Sequence, residues 1–185
     1  YQKYPMLKNK KIILYAPTFR GNIYKGFSAI HFDAQKVMNQ LSDDFVLIYK
    51  FHPLMGNYHL QKDNRILNMN HEDTHELFCI SDYLISDYSS IVFDFMILKK
   101  PMLFYIPDYE QYCQDLGVFV DVRDLGYPVC YCEEDVVQSL QTYHVDEDLF
   151  QKMKNQFFEI QDGHSTLRVV ELVEKLCEME NDINE

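Results

Sequence analysis

The sequence predicts a doubly wound α/β domain with a mostly parallel sheet, and three observations carry that prediction. Short continuous apolar runs recur at Lys11–Ala16, Phe45–Tyr49 and Met102–Ile106, the pattern of strands buried on both faces. Between such runs lie stretches with apolar residues at helical spacing, such as Ala34, Val37, Met38 and Leu41. Strand and helix patterns alternate along the chain, which is the order of a parallel sheet covered by helices. With 185 residues, 47% of them hydrophobic, the chain fits one domain, or one half of a two-domain enzyme, with a substantial core.

Lys11–Ala16 is the expected first strand, and Pro17–Gly21 ends it. The segment to about Ile30 has two glycines and little periodicity, so a mobile loop is expected there. Asp33 is placed to cap the helix that carries Ala34 to Leu41. Phe45–Tyr49 is the second strand and leads directly into Lys50-Phe51-His52-Pro53, where Pro53 stops further pairing. Arg65–Asn68 reads as a short third strand, followed by a helix from Thr74 to Ile80 capped by Asp73 or Thr74. His71–His75 has the H-E-x-x-H spacing of zinc metalloproteases, but the motif only opens a short helix and lacks a third ligand, so zinc is not expected at this motif.

Tyr83–Ile85 is the next short strand, Ser86–Ser90 a polar turn and Ile91–Leu98 an apolar helix. Lys99, Lys100 and Pro101 suit the end of that helix, and Met102–Ile106 follows as a buried strand. A loop with a possible helical turn is expected from Pro107 to Gly117, and another short strand at Val118–Val122. Helices are expected over Glu134–Tyr143, Asp146–Glu159 and a C-terminal stretch at 164–180, starting near Ser165. The last carries Val169, Val170, Leu172, Val173 and Leu176 as its apolar stripe. Gly163 suits the turn before it, and Ser165 or Thr166 can cap it.

Composition narrows the function. A formal charge of −12 argues against nucleic-acid binding, which needs a basic surface to displace counterions. No apolar run approaches the roughly 18 residues of a membrane span, and the start Tyr1–Pro5 has neither initiator Met nor signal-peptide pattern, so the chain reads as cut from something longer. The five cysteines, Cys79, Cys113, Cys130, Cys132 and Cys177, show no framework spacing, which favours reduced thiols in a cytoplasmic setting. The acidic tail 178–185 reads as a solvated helix end and a frayed terminus.

Candidate site residues gather where strands end. Ser89 and Ser90 either cap the following helix or bind a phosphate at the carboxyl end of a strand, where ligands of open α/β sheets sit. Arg20, just past the first strand, is either an anion ligand or a solvated loop arginine. Lys50 and His52 put a cation and an imidazole at the same edge, on one face if the strand continues.

Four motifs, Ile13–Arg20 (I-L-Y-A-P-T-F-R), Lys50–Pro53 (K-F-H-P), Ser81–Asp94 with the string S-D-Y-S-S-I-x-F-D-F running on to Phe95, and Lys100–Tyr105 (K-P-M-L-F-Y), together resemble the CDP-glycerol glycerophosphotransferase family. Its members build teichoic acids and related capsular polyol-phosphate polymers. The resemblance spans nearly the whole chain. It implies a Rossmann-like fold forming the C-terminal, donor-nucleotide half of a GT-B enzyme, with residues 1–185 as that domain and no cofactor. It also implies that His52 is needed for activity near the donor diphosphate, and that Asp87, Tyr88, Ser89 and Ser90 sit at that diphosphate. Gly163 and Ser165 fall where the family has an Asp-Gly turn opening its last helix. A second essential histidine, the proposed base, would belong to an N-terminal domain outside this chain.

The implied reaction is attack of a polymer hydroxyl on the glycerol-bearing phosphorus of CDP-glycerol or another CDP-polyol, with CMP leaving. The acceptor is expected to be lipid-linked and held by that N-terminal domain, which would also make any contact with the inner face of the bacterial membrane. Arg20, Lys50, His52 and the N–H groups of Ser89 and Ser90 are the groups expected to neutralise the phosphate. Two rival readings are a GT-B glycosyltransferase or epimerase using a nucleotide-sugar, and a non-catalytic nucleotide-binding domain.

Overall fold

The computed structural model describes residues 3–22, 24, 26–55, 63–160 and 162–183. Eight strands occur among the described residues, in chain order: β1 (Lys11–Tyr15), β2 (Arg20–Asn22), β3 (Gly26–Ser28), β4 (Phe45–Tyr49), β5 (Ile66–Asn68), β6 (Tyr83–Ser86), β7 (Met102–Tyr105) and β8 (Val129–Cys130). Six of them form one sheet in the order β5-β4-β1-β6-β7-β8, every pair parallel. The doubly wound parallel sheet expected from the apolar runs is therefore present. Those runs are also buried on both faces: Ile12, Ile13, Leu14, Leu47, Ile48, Leu84 and Ile85 are all fully inaccessible. Burying a side chain of that size contributes about 1.5–3 kcal/mol, so β1, β4 and β6 anchor the sheet.

The strand order reverses between β1 and β6, because the chain first builds outward through β4 and β5 and then returns to add β6, β7 and β8. At such a switch point the loops leaving two neighbouring strands diverge and open a crevice at the carboxyl edge. The register keeps the strand ends level, with Tyr15 opposite both Tyr49 and Ile85. Just beyond, Lys50 N donates to Tyr15 O at 3.0 Å, Ala16 N to Ile85 O at 2.9 Å and Ser86 Oγ to Ala16 O at 2.7 Å. These bonds bring the segments after β1, β4 and β6 to one edge.

The helices are α1 (Ala34–Met38), α2 (Thr74–Ile80), α3 (Ile91–Met96), α4 (Tyr109–Asp115), α5 (Glu133–Thr142), α6 (Glu147–Phe157) and α7 (Ser165–Ile183). Asp33 caps α1 by accepting from Lys36 N at 3.0 Å. Asp73 caps α2 through His75 N at 2.8 Å and Glu76 N at 3.1 Å. His71 consequently lies before the helix, so the two histidines of H-E-x-x-H do not share a helical face. No helix among the described residues is long and apolar enough to cross a membrane.

Several local expectations differ from the structure. The segment after Pro17 contains the antiparallel hairpin β2–β3, where a mobile loop was expected. Gly21 stands there at φ 91° and its Cβ position would lie 2.1 Å from Gly26 O, so only glycine allows the two strands to approach. Val118–Val122 is not a strand: Gly117 turns at φ 76°, Phe119 is fully exposed, and a 3-10 turn begins at Val122. The sheet position beside β7 belongs instead to the two-residue β8. Lys100 does not close α3. Its Nζ reaches the carbonyls of Phe78, Cys79 and Ser81 at 2.8–3.1 Å and so caps the carboxyl end of α2, as a cation near helix carbonyls does.

The chain divides into two compact units, Tyr1–Phe150 and Gln151–Glu185. In the second unit Gly163 adopts φ 75°, as its turn requires. Asp162 accepts from His164 N at 2.9 Å and pairs with Arg168 at 2.7 Å, while Arg168 Nη2 donates to Ser165 Oγ at 3.0 Å. Ser165 is the first helical residue rather than the cap. The stripe expected to be the buried face of α7 is 47–60% exposed at Val169, Val170, Leu172, Val173 and Leu176. The helix continues into the acidic tail as far as Ile183, and residues 184–185 lie outside the described residues.

Candidate functional site

Lys50, His52 and Ser89 line one small pocket of about 150 Å³, together with Pro17, Thr74 and Ile91. The grouping follows from the topology, because Pro17 follows β1, Lys50 and His52 follow β4, and Ser89 follows β6. His52 is exposed, and its ring lies 4.9 Å from that of Phe19. Phe19 packs edge-on against Phe27 of the hairpin at 5.0 Å. The hairpin thus supports the phenylalanine against which the imidazole rests.

Lys50 lines the pocket while its Nζ donates to Asn70 O at 2.9 Å and Glu72 O at 2.6 Å. Asn70 also accepts from Phe51 N at 2.7 Å through its side chain. An ammonium has three donors, and here two of them tie the segment after β4 to the turn after β5. The role expected for Lys50 as a plain phosphate cation is therefore joined to a structural one.

On the other side of the β6 turn stands an ionic cluster. Arg20 donates through Nε and Nη2 to the two oxygens of Asp108 at 2.7 and 3.2 Å, and through Nη1 to Asp87 Oδ2 at 2.9 Å and Thr18 O at 2.8 Å. Asp87 also accepts from Thr18 N at 2.8 Å and Thr18 Oγ1 at 2.7 Å. Its carboxyl is 1% exposed, and burial raises its pKa while Arg20 and Thr18 draw it down. For Arg20, burial opposes the charge but its hydrogen bonds to Asp108 and the field of both carboxylates outweigh it, so its pKa is raised. Tyr88 donates to Asp108 at 3.2 Å and stacks on Tyr112 with centroids 3.8 Å apart. The guanidinium lies 5.2 and 4.7 Å from those two rings.

This geometry gives a structural role to two residues expected at the phosphate. Arg20, expected to grip a phosphate, has Nε, Nη1 and Nη2 all engaged within the protein. Asp87, expected at the ligand, points inward as the buried partner of Arg20. Removing one member of such a pair leaves an uncompensated buried charge, at a cost of about 3–5 kcal/mol. Ser90 does occupy the N-cap position of α3, but its backbone is already helical and its hydroxyl makes no capping bond. Ser89 Oγ stands only at the limit of hydrogen bonding to Ile91 N, at 3.5 Å. The capping explanation for these two serines is thus weak. Ser89, Ser90 and Tyr88 also border a larger pocket of about 390 Å³ whose other walls include Phe19, Phe93 and Leu125.

Gly163 and Ser165 belong to the second unit. Asp108, Thr18 and Tyr112 were missed by sequence reading. Asp108 carried a usable signal, since it lies just past β7 at the same sheet edge, as Arg20 lies past β1.

The family described as CDP-Glycerol:Poly(glycerophosphate) glycerophosphotransferase matches residues 1–175. The chain is 37% identical over 176 residues to a teichoic acid poly(glycerol phosphate) polymerase of Bacillus spizizenii, covering 89% of this chain and 44% of that protein. It is 32% identical over 179 residues to a teichoic acid ribitol-phosphate primase of the same organism, covering 94% and 46%. Among solved structures it is similar to a variant of the wall teichoic acid polymerase TagF soaked with CDPG. The TM-score is 0.73 at 28% identity, covering 97% of this chain and 47% of that one. The chain thus spans less than half the length of these relatives. The match to the family over nearly all of its residues, on the parallel sheet and edge described above, shows that the chain belongs to the CDP-glycerol:poly(glycerophosphate) glycerophosphotransferase family.

Proposed function

We propose that the full-length protein moves a polyol phosphate from CDP-glycerol, or another CDP-polyol, to the terminal hydroxyl of a growing teichoic-acid or capsular polymer. This chain supplies the donor-binding half. The observation that carries the reading is the pocket at the switch point where Lys50, His52 and Ser89 converge. The family's phosphate donor needs such a place, where charge on the oxygens is met by fixed donors.

In the proposed reaction the acceptor oxygen attacks the glycerol-bearing phosphorus. The new P–O bond forms as the bond to the bridging oxygen breaks, and CMP leaves with that electron pair. His52 is the catalytic candidate: it donates a proton or a charged hydrogen bond to the departing phosphate. Lys50 contributes its positive charge and its remaining donor. Ser89 and Ser90 offer backbone N–H groups and hydroxyls. Tyr88 shapes the turn, while Asp87 and Arg20 hold it from within. Gly163 and Ser165 are proposed as a second contact to the donor by family likeness. The acceptor base and the lipid-linked acceptor are assigned to the part of the protein outside this chain. That part would also place the enzyme on the inner face of the membrane.

Mass spectrometry of products formed by the full-length protein from CDP-glycerol, CDP-ribitol and a lipid-linked acceptor tests the reading. A product heavier than the acceptor by one polyol phosphate, with release of CMP, is expected. Turnover of a UDP-sugar with none of either CDP-polyol would overturn it.

A further inference from the structure

Three loops that leave adjacent strands meet at one guanidinium. The loop after β1 brings Thr18 and Arg20, the turn after β6 brings Asp87 and Tyr88, and the loop after β7 brings Asp108. We infer that Asp108 is a positioning residue, which through Arg20 and Tyr88 sets the place of the Asp87–Ser90 turn for the proposed phosphate transfer. The inference rests on that reading of the reaction.

Each contact has a distinct job. The two oxygens of Asp108 take Arg20 Nε and Nη2 at 2.7 and 3.2 Å, a two-point grip that fixes the plane of the guanidinium. With the plane fixed, Nη1 is directed at Asp87 and at the Thr18 carbonyl. The same Asp108 carboxylate accepts from Tyr88 Oη at 3.2 Å, one residue before Ser89. Asp108 therefore holds the first two residues of the turn: Asp87 through Arg20, and Tyr88 directly. Unlike Asp87, whose carboxyl is 1% exposed, Asp108 keeps 19% of its side chain accessible. It is thus the member of the cluster that can be changed without leaving a charge stranded in the core. Lysine at position 20 cannot replace the arrangement, because a point charge has no plane to hold.

The test uses the full-length protein with Asp108→Asn, Tyr88→Phe and the double variant, measuring kcat, KM for CDP-glycerol, melting temperature and CDP affinity. Arg20→Lys is informative only if it folds, so Asp108→Asn carries the experiment. The expected result is a kcat lower by about tenfold to a hundredfold, as a displacement of up to about 1 Å in a reacting group produces. KM is expected to move less, and the melting temperature to stay within a few degrees. If Tyr88 relays the effect, the double variant falls little below Asp108→Asn alone. Wild-type kcat in Asp108→Asn, or fully additive losses in the double variant, overturns the inference. A wild-type protein that turns over no CDP-polyol overturns the proposed reaction. The inference then stands on calorimetry with CDP, where Asp108→Asn is expected to weaken binding severalfold because the displaced turn holds the diphosphate less well, and an unchanged affinity overturns it.

Discussion

The two flanks of the β6 turn each carry a cation but differ in what surrounds it. On one side Arg20, Asp87 and Asp108 satisfy one another, with the Asp87 carboxyl buried. On the other, His52 is exposed, and Lys50 and Ser89 face a pocket. Pairing makes the first flank a scaffold. Access makes the second the proposed place for chemistry, and the residue type alone would not have separated Arg20 from Lys50.

The buried pair should give the largest effect. Arg20→Met should destabilise the fold by about 3–5 kcal/mol, because Asp87 loses its partner. Differential scanning calorimetry should show a fall of roughly 6–20 °C in Tm, given about 2–4 °C per kcal/mol for a chain of this size. A Tm shift under about 2 °C would mean that the cluster is not the scaffold described. On the open flank the expectation reverses. His52→Ala should leave Tm in place and lower kcat of the full-length protein by about two to three orders of magnitude, the effect of losing a donor to developing charge. Retention of a tenth of the normal rate would remove His52 from the reaction.

Smaller effects sharpen the contrast. Changing Ser89 and Ser90 together to Ala should weaken CDP binding by the chain severalfold, from an expected range of about 10 μM to 1 mM. Added salt should weaken it further, since half a cleft leaves the charges partly in water. Calorimetry with CDP, and UDP as control, checks both, and equal affinity for the two nucleotides would contradict a cytidine donor. The smallest effect is in acid. Arg123 beside Asp121 holds that carboxyl down at about 2, below its ordinary value near 4. A depressed carboxylate adds stability above its unfolded pKa and loses it as pH falls through the folded one. The wild-type chain should therefore lose more Tm than Asp121→Asn between pH 4 and about 2. With the pair on the surface the difference should stay under about 1 kcal/mol.

The apolar runs that became β1, β4 and β7 were legible because a strand buried on both faces must be apolar throughout. Their alternation with amphipathic stretches then left few topologies. The helix from Thr74 to Ile80 was legible because its cap, Asp73, is local. The candidate residues after strand ends were legible too, since the sheet's carboxyl edge is where open α/β folds place ligands. What each of them does there was not. Arg20 meets Asp87 and Asp108 across 67 and 88 residues of chain, and no periodicity reports a contact of that span. The exposed stripe of α7 shows the same boundary, because spacing tells which face of a helix is apolar but not whether a neighbour covers it. The chain order alone was enough for five of the six strands of the sheet, for its edge and for some of the groups that reach it. Only the tertiary structure decided which charges were consumed in holding the loops and which were left facing the pocket, because that depends on distances between segments that the chain order does not contain.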